Sequence, residues 1–79
     1  MRMDKYLKVS RLIKRRTVAN EACDSERVFV NGRPAKASYD VKVGDQIELH
    51  FGARTLRVEV LAVAEAVRKD DASAMYREL

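Results

Sequence analysis

The sequence predicts an α+β fold: two short packed helices, then a small antiparallel sheet of hairpins, with a short helix or a disordered tail at the end. Three observations predict it. Apolar residues in positions 3–24 recur at helical intervals. From Val28 onward the period drops to two. Asn31-Gly32 and Gly52 stand between extended runs, where tight turns belong.

The first helix is expected from Met3 to Ser10. Met3, Tyr6 and Leu7 form one stripe, and Arg2, Lys5 and Lys8 form a neighbouring one. Ser10 to Lys14 read as a turn with Leu12 and Ile13 tucked inward. The second helix is expected from Arg15 or Arg16 to about Asp24. Its apolar face is Val18, Ala19, Ala22 and Cys23; its wet face is Asn20, Glu21 and Asp24.

Asn31-Gly32 then predicts a hairpin, because both central residues of the tight turn need positive φ. Pro34 restricts the second arm to an edge, since it cannot donate to a ladder. Gly44 is the pivot of the turn in Val41 to Asp45. The run Gln46 to Phe51 alternates, with Ile47, Leu49 and Phe51 inward. After a turn at Gly52-Ala53-Arg54, Thr55 to Val60 alternates again, with Leu56, Val58 and Val60 inward. Phe29 alternates away from Val28 and Val30 and is expected beneath the C-terminal tail. That tail is read as a short helix over about 71–78, its acids early and Arg77 late, as the helix dipole favours. Met75, Tyr76 and Leu79 are its docking residues.

Composition narrows the function classes. The chain has 79 residues, 47% hydrophobic and 35% charged, which supports one small core. Cys23 is the single cysteine, so neither an internal disulfide nor a cysteine zinc cluster can form, and a reducing cytoplasm is expected. No apolar run approaches the roughly 20 residues that span a bilayer, so no membrane partner is expected. The charged start, Arg2, Asp4 and Lys5, does not read as a signal peptide.

Catalytic chemistry is not expected. His50, the single histidine, lies on the polar face of a strand with no nucleophile placed to match. Cys23 sits on an apolar helix face and reads as core packing. The three glycines each belong to a turn, so no phosphate loop exists, and metal-ligand spacings are missing. No cofactor and no metal site are predicted.

Charge is unevenly placed. The net charge is +4, but ten of the 16 bases and only four of the 12 acids lie in the first 36 residues. Seven bases crowd into the first sixteen residues beside one acid, Asp4. Arg15 and Arg16 stand at a helix start, where the dipole rejects bases. An anion supplied from outside removes the conflict, because free amides and forked arginine donors both favour phosphate. Phosphates along a nucleic-acid backbone would meet Arg2, Lys5, Lys8 and Arg11 in turn. The predicted RNA-binding residues are therefore Arg2, Lys5, Lys8, Arg11, Lys14, Arg15 and Arg16, with Arg27, Asn31, Arg33 and Lys36 around the first hairpin. Asp4 is read as a first-turn carboxylate and as an orienter of Arg2 or Arg16. Aromatics are only 6% and no row of Asn or Gln suited to base reading is evident, which favours shape recognition of folded RNA.

The order of motifs carries a resemblance. "R-x-D-K-x-L", a basic stretch ending in Arg16, an alanine-bearing helix, "R-V-F-V-N-G-R-P-A-K" and "V-K-V-G-D-Q-I" resemble, over about residues 1–49, the RNA-binding domain first named for ribosomal protein S-four. The resemblance implies a small αα plus hairpin fold that binds structured RNA through its helices and the nearby turn. Arg2, Asp4, Leu7, Arg16, Val30, Asn31, Gly32 and Gly44-Asp45 fall on motif positions. Leu7 and Val30 would be core, Gly32 and Gly44 turns, and Arg2 and Arg16 RNA contacts. One departure is Glu26, where the family normally has glycine; glutamate there should strain or reshape the helix cap.

The chain as a whole, including the start Met1 to Asp24 and the tail "A-S-A-M-Y-R-E-L", also resembles a subgroup of stand-alone bacterial members with no fused enzyme. That subgroup acts in ribosome-associated quality control and is related to the small heat-shock ribosome-recycling protein. This implies a factor of the large ribosomal subunit that contacts ribosomal RNA and transfer RNA while a partner protein directs alanine tailing. A single RNA-binding domain over 1–79 is expected, with the second hairpin strand and an extension over 50–69 and the tail over 70–79, monomeric when free. Two further readings stand beside it: a small nucleoid-type DNA-binding protein, and a basic adaptor for an acidic protein.

Overall fold

The computed structural model describes residues 1–79. Helix α1 spans Met3–Val9 and α2 spans Arg16–Asp24. The strands are β1 (Val28–Val30), β2 (Arg33–Pro34), β3 (Gln46–Phe51), β4 (Arg54–Val60) and β5 (Tyr76–Glu78). They form one antiparallel sheet in the order β2-β1-β3-β4-β5. Both helices and a 3₁₀ turn over Lys69–Met75 complete the fold. No helix is long and apolar enough to cross a membrane.

The period-two runs behave as alternation requires. Ile47, Leu49, Val58 and Val60 point to the helices and are buried with Val28 and Val30. Met3, Tyr6 and Leu7 of α1 close this core and are fully buried. Asn31 and Gly32 have φ of 52° and 85°, the left-handed pair that a two-residue hairpin turn demands. Pro34 lies on the edge strand, where no ladder donor is lost.

The tail departs from expectation. Residues 71–78 are not an α-helix: the chain makes a 3₁₀ turn to Met75, then β5 pairs with β4 at Val60↔Tyr76, Glu59↔Arg77 and Val58↔Glu78. The open edge of β4 offers ladder bonds that three residues of α-helix would not match. Ala72 and Met75 are the buried members of the turn. The Met75 carbonyl accepts from the Tyr6 hydroxyl at 2.8 Å and from the Leu61 and Ala62 amides at 2.8 and 3.2 Å. Phe29 is therefore not beneath the tail, whose strand is separated from β1 by β3 and β4. Its ring meets His50 edge-on at 5.0 Å. Phe51 also differs: paired with Arg54 at the mouth of the turn, it is exposed, while Val18 lies off the buried Ala19–Cys23 stripe and is exposed too.

Glu26 keeps the cap that a glycine would form. The Arg27 amide reaches the Ala22 carbonyl at 2.9 Å and the Glu26 amide reaches that of Cys23 at 3.1 Å, with Glu26 at φ 57°. The cap is strained rather than reshaped, because an L side chain in this region crowds its own carbonyl. Glu26→Gly is expected to raise unfolding stability by about 1 kcal/mol, read by urea denaturation. A loss of stability on that change would show the glutamate side chain makes up the strain.

Candidate nucleic-acid interface

The start of α1 is fastened to the loop after β2. The Met3 and Asp4 amides donate to the Tyr39 and Ala37 carbonyls at 2.9 and 3.2 Å, and Val41 donates to the Met1 carbonyl at 2.8 Å. Arg2 is thereby fixed at the N-cap of α1, and Arg15 takes the same place before α2. Neither side chain caps a free amide of its helix, and α2 has no acid in its first turn. Of the two bases, Arg15 has no acid partner in the folded chain, while Arg16 finds one in Asp4 of the other helix.

Asp4 ties the two helix starts together. It is 3% exposed. Its Oδ1 accepts from Arg2 Nε at 3.1 Å and from the Lys5 amide at 2.8 Å; its Oδ2 accepts from Arg2 Nη2 at 3.4 Å and Asn20 Nδ2 at 3.3 Å. Arg16 Nε pairs with the same Oδ2 at 3.4 Å. Burial pushes the carboxyl up, but the bonds from Arg2, Asn20, Arg16 and the Lys5 amide outweigh it and hold the group at about 2. Asp4 is thus a permanent acceptor at the centre of the basic face. The two arginines remain half exposed, 51% and 49% at the side chain, with unused guanidinium donors.

The other predicted residues divide by surroundings. Lys8, Arg11, Lys14, Arg15, Arg27, Arg33 and Lys36 are exposed. Lys36 joins Arg2 and Asn20 around a cleft between α2 and residues 34–38, with Asp24 and Glu26 on its wall. Lys8 and Arg11 border a smaller cleft with Glu65 and Val67, and Arg11 is held at φ 62° just past the end of α1. Lys5 forms an ion pair with Glu65, an exposed contact that solvent weakens. Asn31 has both ends of its amide committed to the turn: Nδ2 donates to Asp45 at 3.3 Å and Oδ1 accepts from the Gln46 amide at 3.1 Å. Its geometry is that of a hairpin brace.

Sequence reasoning missed Asn20, placing it on the wet face of α2. Its spacing of four from Arg16 was a usable signal. Cys23, by contrast, is buried as expected, and burial pushes its thiol up to about 11, the inert form. His50 stands on the outer sheet face beside Phe29 and Glu48, 3.4 Å from the Glu48 carboxylate.

Residues 1–47, which carry Arg2, Asp4, Arg16 and Asn20, match the S4 domain family. This chain belongs to the S4 domain family. Over 76 residues it is 57% identical to the RQC P-site tRNA stabilizing factor of Streptococcus pneumoniae, covering 96% of this chain and 86% of that one. Identity to the protein of the same name in Bacillus subtilis is 50%, over 96% and 88%. The structure of Heat Shock Protein 15 from Vibrio cholerae, described as trimeric, superposes with a TM-score of 0.93 at 31% identity, covering all of this chain and 81% of that one. Beyond the S4 match lie β4, the 3₁₀ turn, β5 and Glu65. The basic face thus belongs to the family unit, while the partner of Lys5 belongs to the extension.

Proposed function

We propose that this S4 protein is a non-catalytic RNA-binding factor of the large ribosomal subunit. It grips ribosomal RNA and the peptidyl-transfer RNA of obstructed large subunits in the cytoplasm. It thereby supports a partner protein that directs C-terminal alanine tailing. The observation that carries this reading is the pair of arginines, one at each helix start, held on one buried carboxylate within a face rich in bases. Such a pair suits two phosphates of one folded backbone, recognised by position and shape rather than by base edges. The likeness to the P-site tRNA stabilizing factors supplies the ribosome and the transfer RNA.

The test is sedimentation of tagged protein from gently lysed cells on sucrose gradients at low and moderate salt. Co-migration with free large subunits that carry transfer RNA is the expected result. Protein that stays in the light fractions at both salts removes the ribosome from the reading and leaves duplex DNA or an acidic protein as the partner to test.

A further inference from the structure

We infer that Asn20 is a ribose-reading residue: its Oδ1 accepts a hydrogen bond from a 2′-hydroxyl lying between the phosphates held by Arg2 and Arg16. This rests on the RNA-binding reading above and specifies which chemical group of the nucleic acid the face distinguishes. The orientation of the amide follows from its partner. Asp4 is a carboxylate and accepts only, so the amide end facing it at 3.3 Å is the NH₂ group. The carbonyl end points away and accepts from nothing in the protein. No unpartnered side-chain oxygen or nitrogen of the molecule is buried, so this oxygen is open to solvent.

Its position completes the case. Asn20 borders the cleft that contains Arg2 and Lys36, and also the polar depression that contains Arg16 and Thr17. It is the ridge between the two arginines. Along a nucleic-acid strand the group between two phosphates is a sugar. Asn20 carries no positive charge of its own to hold a phosphate, whereas each neighbouring cleft has an arginine. A neutral donor facing a fixed acceptor suits the site, and the 2′-hydroxyl is the donor that separates RNA from DNA.

The experiment compares a synthetic hairpin RNA with the same hairpin carrying 2′-fluoro sugars. Fluorine keeps the A-form shape but cannot donate. The wild-type protein is expected to bind the fluoro hairpin about three- to tenfold more weakly, the worth of a hydrogen bond or so. Asn20→Ala is expected to shrink that ratio about threefold or more. Asn20→Lys, which still donates to Asp4 but offers no acceptor, is expected to do the same while binding both hairpins more tightly. An unchanged ratio in both variants overturns the assignment of Asn20. Arg16→Ala tests the underlying reading separately: it should weaken both hairpins equally. If the wild-type protein binds neither hairpin, or Arg16→Ala changes nothing, the RNA face itself is wrong.

Discussion

Arg16→Ala is expected to weaken binding to structured RNA by about 1–3 kcal/mol, and Arg2→Ala by less within the same range. The order follows from how each guanidinium is already used. Arg2 gives both Nε and Nη2 to Asp4, whereas Arg16 gives only Nε, leaving both its terminal nitrogens for an incoming phosphate. Both side chains are half exposed, so the circular-dichroism spectrum of each folded variant should hardly change, while denaturant titrations should show a loss of stability because the buried Asp4 carboxylate loses one of its partners. Each loss should also reduce the salt dependence of binding by about one ion, because one phosphate contact disappears. Arg57, on β4, and Arg68, just before the 3₁₀ turn, lie outside the cluster and their alanine variants should be nearly silent. Equal losses at Arg57 and Arg16 would move the binding surface to the sheet.

Acid should lower the stability of the fold through Asp4. Its carboxyl lies at about 2 in the folded chain, against 3.8 for the free group. A folded value below the unfolded one contributes stability that is complete above the unfolded value. It is lost as pH falls through the folded one, here from about 4 to about 2. The shift corresponds to roughly 2 kcal/mol, a large share of what so small a domain can hold. Asp40, against the terminal amine, and Glu65, against Lys5, are also lowered, but both are exposed and their pairs are screened. Asp4→Asn should therefore lose stability at neutral pH and show a flatter stability curve between pH 4 and 2 in denaturant titrations. It should also weaken RNA binding, because two arginines lose their common anchor. If the wild-type and variant curves ran parallel through that window, Asp4 would not be the acid-sensitive group.

Local signals made much of this fold legible. Two six-residue runs of clean alternation set β3 and β4, Asn31-Gly32 set a turn of one geometry, and Pro34 marked an edge. Asp4 was legible because one acid stood among seven bases. The tail was not, since its order comes from distant backbone partners on β4 and from the Tyr6 hydroxyl, and Tyr76 to Glu78 is too short to show a period. Phe29 was misplaced for the same reason: its cover is His50 on the next strand. Asn20 looked like an ordinary wet residue because its partner lies sixteen positions away on another helix. Arg11 and Glu26 hide their left-handed backbone behind side chains that ordinarily avoid it.

The carbonyl of Met75 has a consequence for modularity. Three groups converge on it: a hydroxyl from the first helix and two amides from the chain leaving β4. The family unit ends near residue 47, yet the core of that unit closes only when a residue almost thirty positions later arrives. A family boundary here is not a folding boundary. Residues 1–47 grafted onto another protein would carry the arginines but leave the Tyr6 hydroxyl without its partner and β1 without most of its neighbour β3. The transplantable piece is the motif together with its tail.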